Sequence, residues 1–178
     1  SDIIGGFKHP PFFMKVVDNY LDEINFKNLY EVMNSSGFHW FYMNNKSCND
    51  NDNVFNYQFV HGFYRAPKIT SPYFPLIIPI IEKIGIRETN FSEKLIRIKA
   101  NLNPPSNDLV KYAMHKDQKY FCKAAIYYVN TNNGYTTFGD ERVESKANRI
   151  VFFDSNELHA GTNSTDCKNR MVINFNYF

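Results

Sequence analysis

The chain has 178 residues, of which 43% are hydrophobic and 17% aromatic, while 21% are charged and the formal net charge is only +2. That is enough apolar material for one domain with a packed core, and it excludes a disordered chain. Lys and Arg are scattered without a run or stripe, which argues against a dedicated duplex-binding surface and against nucleic acid as a partner.

In chain order, a first helix is predicted over 22–33, where Phe26, Leu29, Tyr30 and Met33 make one apolar face. Residues 44–53, rich in Asn, Asp and Ser, read as an exposed loop, and the aromatic stretch 54–64 as a strand. A second helix is expected over 71–85: Ser71 can cap, Pro72 suits the first helical position, Phe74, Ile77, Ile78, Ile81 and Ile84 recur at helical spacing, and Gly85 stops it. From Leu95 onward short strands follow one another, over 95–102, 112–115, 123–130, 135–138, 149–154 and 170–178, with a tight turn at Asn132-Asn133-Gly134. The pattern suits an antiparallel sandwich or jelly roll with helices on one outer face, or a generic α+β sheet; local periodicity does not separate them. Cys48, Cys122 and Cys167 are odd in number and far apart, giving neither a disulfide framework nor a zinc pattern. Residues 1–8 lack the order of a signal peptide and no apolar run approaches the roughly 18 residues of a membrane span, so a cytoplasmic setting is expected.

The chemistry gathers in the C-terminal third. In His115-Lys116-Asp117 the outer two side chains leave an extended segment on the same side and can converge on one ion. His159 follows the apolar strand 149–154 and can reach inward from a rim, with Glu157 as a competing ligand. Two imidazoles and one carboxylate can hold iron(II) on one face and leave the opposite positions open. Arg170 opens the last strand, where alternation groups it with Val172, Asn174 and Asn176, opposite Met171, Ile173, Phe175 and Tyr177. A guanidinium beside two carboxamides suits a polar cavity that receives a carboxylate.

Taken together, His115-x-Asp117, His159 and Arg170 resemble the signature of the iron(II)- and 2-oxoglutarate-dependent oxygenases, and of their prolyl-hydroxylase-like branch in particular. Ala125-Ile126-Tyr127-Tyr128-Val129-Asn130 and Arg149-Ile150-Val151-Phe152-Phe153 resemble strands of that branch, so the likeness covers about 95–178. It implies a mostly β fold with flanking helices, a double-stranded β-helix or jelly roll, within one oxygenase domain whose residues 1–94 supply helices and substrate wall. It implies that His115, Asp117 and His159 hold iron(II), that Arg170 pairs with the distal carboxylate of 2-oxoglutarate, that Tyr128 hydrogen-bonds the same cosubstrate, and that Asn174 and Asn176 line the cavity. Where relatives carry a tyrosine on the strand before His-x-Asp, this chain has Asn101 and Asn103, either of which can take its place. Lys168 is an alternative carboxylate partner.

The implied reaction is oxidative: with dioxygen as second cosubstrate, the keto acid goes to succinate while a C–H bond is hydroxylated, without a protein nucleophile. The branch favours a prolyl or other peptidyl substrate over a free amino acid, a small metabolite or an alkylated nucleobase. A zinc hydrolase using the same ligands and a non-catalytic jelly-roll binding module are the other classes. Trp40 and the aromatic run 57–65 are either a recognition surface or ordinary packing between helix and sheet, and His39 and His61 are expected to be structural or solvent-facing.

Overall fold

Period-two alternation along the last strand sets the architecture. Met171, Ile173, Phe175 and Tyr177 are buried from one of its faces, and Arg170, Val172, Asn174 and Asn176 leave from the other. The computed structural model describes residues 13–44 and 54–178. The segment 1–8, Cys48 and nearly all of the loop expected over 44–53 lie outside the described residues.

The elements run β1 (Met14–Val17), α1 (Glu23–Asn34), β2 (Phe41–Met43), β3 (Gln58–Arg65), β4 (Lys68–Ile69), a 3-10 turn (Phe74–Ile77), α2 (Ile78–Ile84), a second 3-10 turn (Glu88–Asn90), α3 (Phe91–Lys94), β5 (Leu95–Asn103), β6 (Lys123–Tyr128), β7 (Tyr135–Phe138), β8 (Glu141–Glu144), β9 (Arg149–Asp154), β10 (His159–Gly161) and β11 (Arg170–Tyr177). The large sheet has the order β1-β9-β6-β11-β5-β3-β2, with β4 paired to β3, and a smaller sheet runs β10-β7-β8. Every named pair is antiparallel. The jelly-roll expectation therefore holds over the generic α+β sheet. The segment 1–94 does more than expected, since β1, β2 and β3 extend the large sheet at both edges.

One face of that sheet is closed by the helices. Leu29 and Met33 of α1 and Ile80 and Ile81 of α2 pack with Phe63, Ile98, Ala100, Ala125, Tyr127, Ile150, Ile173 and Phe175. The opposite face meets the small sheet through Ala124, Ile126, Tyr128, Phe138, Val143, Val151, Phe153 and Val172. β6, buried on both faces, belongs to both cores.

Three local expectations change. The helix predicted over 71–85 is a 3-10 turn followed by the short α2, because the Ser71 hydroxyl accepts from the Tyr73 amide (3.0 Å) and bonds His61 Nε2 (2.6 Å) instead of capping, and Pro75 and Pro79 remove amide donors from the ladder. Gly85 does stop it, with φ of 101°. The strand predicted over 54–64 begins only at Gln58. Segment 112–115 is no strand: it carries one isolated bridge, at His115, and a second lies just before it at Lys111. The first helix is as expected, its Asp22 carboxylate accepting from the Asn25 amide at 3.0 Å.

Candidate metal and cosubstrate site

His115 and His159 are held together through their backbones. The His115 amide donates to the His159 carbonyl (2.9 Å) and the His159 amide to the His115 carbonyl (3.0 Å), which brings the imidazoles to a centroid separation of 4.5 Å. Asp117 joins them, and the ligand atoms of His115, Asp117 and His159 all lie within 4.8 Å of one another. His159 Nε2 is 3.4 Å, and His115 Nε2 3.8 Å, from Asp117 Oδ1. The carboxylate of Glu157 is not part of this cluster; its backbone carbonyl instead takes the Nδ1 proton of His159 at 3.0 Å.

The protonation pattern fits a cation. With Nδ1 donating to the Glu157 carbonyl in one ring and to the Ala113 carbonyl in the other (3.3 Å), both imidazoles turn Nε2 toward Asp117, the atom that a metal would take in place of a proton. His159 Nε2 is buried and has no hydrogen-bond partner. Burial alone would raise the Asp117 carboxyl, but His159, the Asn176 carboxamide and His115 pull it down to about 2, so it is anionic. Burial alone would lower His159, but the facing carboxylate outweighs it and leaves it raised. For His115 burial and the neighbouring His159 prevail and lower it. Asn176 Nδ2 donates to Asp117 Oδ2 at 3.1 Å, so Asn176 acts on the carboxylate and leaves Oδ1 toward the two rings. A buried orphan nitrogen, a second imidazole and an ionised carboxylate together make the donor set expected for iron(II).

The triad opens into a cavity of about 220 Å³, walled by Arg97, Lys99, Asn101 and Asn103 of β5, by Arg170, Val172 and Asn174 of β11, and by Gln58, Tyr112, Lys116, Ile126, Thr136 and Thr162 among others. Arg170 is only 2% exposed, and no carboxylate lies within 4.0 Å of it among the described residues. Its Nε donates to Ser145 Oγ (2.8 Å) and one terminal nitrogen to Thr136 Oγ1 (3.1 Å). A buried guanidinium held only by hydroxyls keeps unused donors and lacks a counter-charge, a costly state that an incoming carboxylate relieves. Gly134, from the predicted tight turn, makes room for it: a Cβ there would stand 2.5 Å from Arg170 Cδ.

Tyr128 stands elsewhere than expected. It is fully buried outside the cavity lining, with its hydroxyl donating to Thr136 Oγ1 at 2.8 Å and its ring 5.7 Å from the Arg170 guanidinium. Thr136 thus accepts from both Tyr128 and Arg170, which leaves its own proton free to donate into the cavity. Asn101 and Asn103 both line the cavity, each with a buried and unpartnered Oδ1, as does Asn174. Lys168 is exposed and outside the lining. His61 is structural, bonded to the His39 carbonyl and Ser71, and Trp40 packs on Phe38 at 5.0 Å. Among the described residues of the segment 1–94, only Gln58 lines the cavity. Arg97, Lys99, Tyr112 and Thr136 are lining residues that motif reading passed over; for the first two the signal was the polar alternation Arg97, Lys99, Asn101, Asn103 along β5.

The fold is shared with known oxygenases. Solved structures similar to this chain include a prolyl hydroxylase from Trichoplax adhaerens in complex with a hypoxia inducible factor peptide fragment (12% identity, 93% of this chain and 83% of that one, TM-score 0.60). A 2OG-Fe(II) oxygenase family oxidoreductase from Burkholderia pseudomallei matches at 10% identity over 92% of this chain and 84% of the other, with a TM-score of 0.64. The non-heme alpha ketoglutarate dependent epimerase of nogalamycin biosynthesis matches at 12% identity over 94% and 78%, with a TM-score of 0.60. No protein-family model and no curated protein matches the sequence. Among the described residues no helix is long and apolar enough to cross a membrane.

Proposed function

We propose that the protein is an iron(II)- and 2-oxoglutarate-dependent dioxygenase, one oxygenase domain that hydroxylates a C–H bond. One observation carries this: a buried guanidinium without a carboxylate partner among the described residues shares a cavity with an orphaned histidine nitrogen and an ionised carboxylate. A zinc hydrolase would need the triad but would give Arg170 nothing to bind.

In this mechanism His115, Asp117 and His159 would hold the metal. Bound there, iron(II) would let dioxygen act as the oxidant, one oxygen atom entering the substrate C–H bond as hydroxyl and the other entering succinate as 2-oxoglutarate loses carbon dioxide. Arg170 receives the distal carboxylate through its remaining N–H groups, and Thr136 donates to the same carboxylate. Tyr128 acts through Thr136 rather than on the ligand. Asn101, Asn103 and Asn174 offer carboxamides along the wall, and Asn176 fixes the Asp117 rotamer. The apolar layer of Ile126 and Val172 keeps that end of the cavity dry, which strengthens the charge pairing. We extend this to a prolyl or other peptidyl substrate, in keeping with the peptide held by the Trichoplax enzyme, and to a reducing cytoplasmic setting, in keeping with the free thiols Cys122 and Cys167.

Anaerobic addition of iron(II) and 2-oxoglutarate should produce the weak visible charge-transfer band of an iron-keto-acid chelate. At about 100 times its dissociation constant the cosubstrate should also stabilise the fold by about 2.7 kcal/mol. No band together with an unshifted melting temperature would overturn the assignment.

A further inference from the structure

We propose that Arg97 and Lys99 form a second anion clamp, on the substrate side of the metal, and that the group they hold is a carboxylate of the substrate. This rests on the oxygenase assignment and deepens it.

Strand register separates the clamp from the cosubstrate end. Asn103 lies opposite Arg170, Lys99 opposite Asn174 and Arg97 opposite Asn176. From Arg170 to Asn176 the backbone advances six residues, about 20 Å at ~3.4 Å each. Asn176 is bonded to Asp117, so Arg97 and Lys99 stand beside the metal ligands while Arg170 marks the opposite end. A five-carbon keto acid spanning metal and Arg170 leaves the Arg97 and Lys99 end uncovered.

Among the described residues neither cation is neutralised there. Arg97 makes one long bond, from a terminal nitrogen to Asn176 Oδ1 at 3.4 Å, and its Nε is buried without a partner. Among the described residues neither Arg97 nor Lys99 has a carboxylate within 4.0 Å. Burial, with the neighbouring Arg97 charge, brings the Lys99 ammonium down to about 8 against the opposing pull of Asp117, so two like charges face one enclosed space. Among the described residues the lining carries the cations Arg97, Lys99, Lys116 and Arg170 against one carboxylate, that of Asp117. An iron(II) dication and a keto-acid dianion cancel each other, so the wall's positive excess persists after both have bound. A neutral prolyl ring alone does not answer it; a carboxylate on the substrate does, by charge-assisted bonds to Arg97 Nε and Lys99 Nζ. The cavity of about 220 Å³ is small beside the roughly 300–1,000 Å³ of drug-sized pockets, so a small acid or one acidic residue fits.

The test uses the full chain with iron(II) and 2-oxoglutarate. The anaerobic band is recorded first; its absence in the wild type would defeat the oxygenase assignment itself. Succinate formation and oxygen insertion are then measured in air with paired probes: free amino acids and other small carboxylic acids against their primary amides, and peptides containing Asp or Glu against their Asn or Gln counterparts. The acid members should stimulate turnover and their amides should be about 10- to 100-fold weaker, the usual worth of a hydrogen bond to a charged group. Whether free acids or acidic peptides respond identifies the source of the carboxylate. Lys99→Met and Arg97→Gln should each raise the half-saturating concentration of the acid about 10-fold or more while leaving that of 2-oxoglutarate, read from the band, within about two-fold. Arg97→Lys, which keeps the charge, should recover part of the loss and guards against a misfolded glutamine variant. A band with equal response to acids and amides, with no response to any acid, or with Lys99→Met raising the 2-oxoglutarate requirement instead, would overturn the clamp and leave the oxygenase standing.

Discussion

Ile173 and Asn174 are neighbours on β11 and leave it in opposite directions. Ile173 enters the helix-covered core with Ile98, Ala100 and Tyr127, whose hydroxyl donates to Asn148 Oδ1 at 2.8 Å. Asn174 enters the cavity, where Arg97 Nε, Asn101 Oδ1, Asn103 Oδ1, His159 Nε2 and its own Oδ1 are buried without partners. Those five atoms all belong to cavity-lining residues. Buried polar groups without partners are rare and each costs about 1–3 kcal/mol. Their confinement to one face says that this face is built to bind and the other to hold the chain together.

Substitutions on the two faces should therefore fail in different ways. The largest effect on binding should come from His159→Ala or Asp117→Ala, which should abolish the iron-keto-acid band, a loss of more than about 100-fold in metal affinity, since even outer partners of metal ligands are worth 10- to 100-fold. Urea unfolding of either variant without metal should stay close to wild type; a loss of stability as large as that of a core truncation would erase the distinction between the faces. Ile173→Ala is that core truncation. It should cost about 2–5 kcal/mol in urea unfolding while the folded fraction keeps its 2-oxoglutarate requirement. Arg170→Met sits between the two: the cosubstrate requirement should rise about 10- to 100-fold, as for a lost charge-assisted pair, while the ligand-free protein becomes no less stable because a buried unpaired charge is removed.

How much of this could be read from residues alone follows the same division. The two faces of β11 were legible because its period of two runs from Arg170 to Tyr177, and the triad because His115-x-Asp117, His159 and Arg170 together resemble the oxygenase signature. The alternation of Arg97, Lys99, Asn101 and Asn103 was equally present, but a polar period in a short strand looks like a solvated edge until β3 and β11 are known to flank it. Tyr128 could not be placed because its partner, Thr136, lies on β7, and only the packing of the small sheet on the large one joins them. Segment 112–115 has a strand's composition, yet it meets its neighbour only through single bridges at Lys111 and His115. Ser71 and Pro72 read as a helix start because nothing local reveals that His61 claims the Ser71 hydroxyl.

A third region, the rim where β1 joins β9, has charges that are paired, and it should show the smallest effect. Asp18 meets Arg149 Nε at 2.6 Å and Lys146 Nζ at 2.9 Å, and those hydrogen bonds hold its carboxyl well below the ordinary 3.8. A carboxyl depressed in the folded state contributes stability that is complete above its unfolded value and is lost as pH falls through the folded one. The stability difference between wild type and Asp18→Asn should thus be constant near neutral pH and shrink progressively below about pH 4, toward zero in stronger acid. The side chain is 36% exposed, so screening by solvent limits the difference to about 0.5–1 kcal/mol, and added salt should reduce it further. A neutral-pH difference of several kcal/mol, lost on acidification, would mean that the rim, and not only the helix-covered face, holds the sheet together.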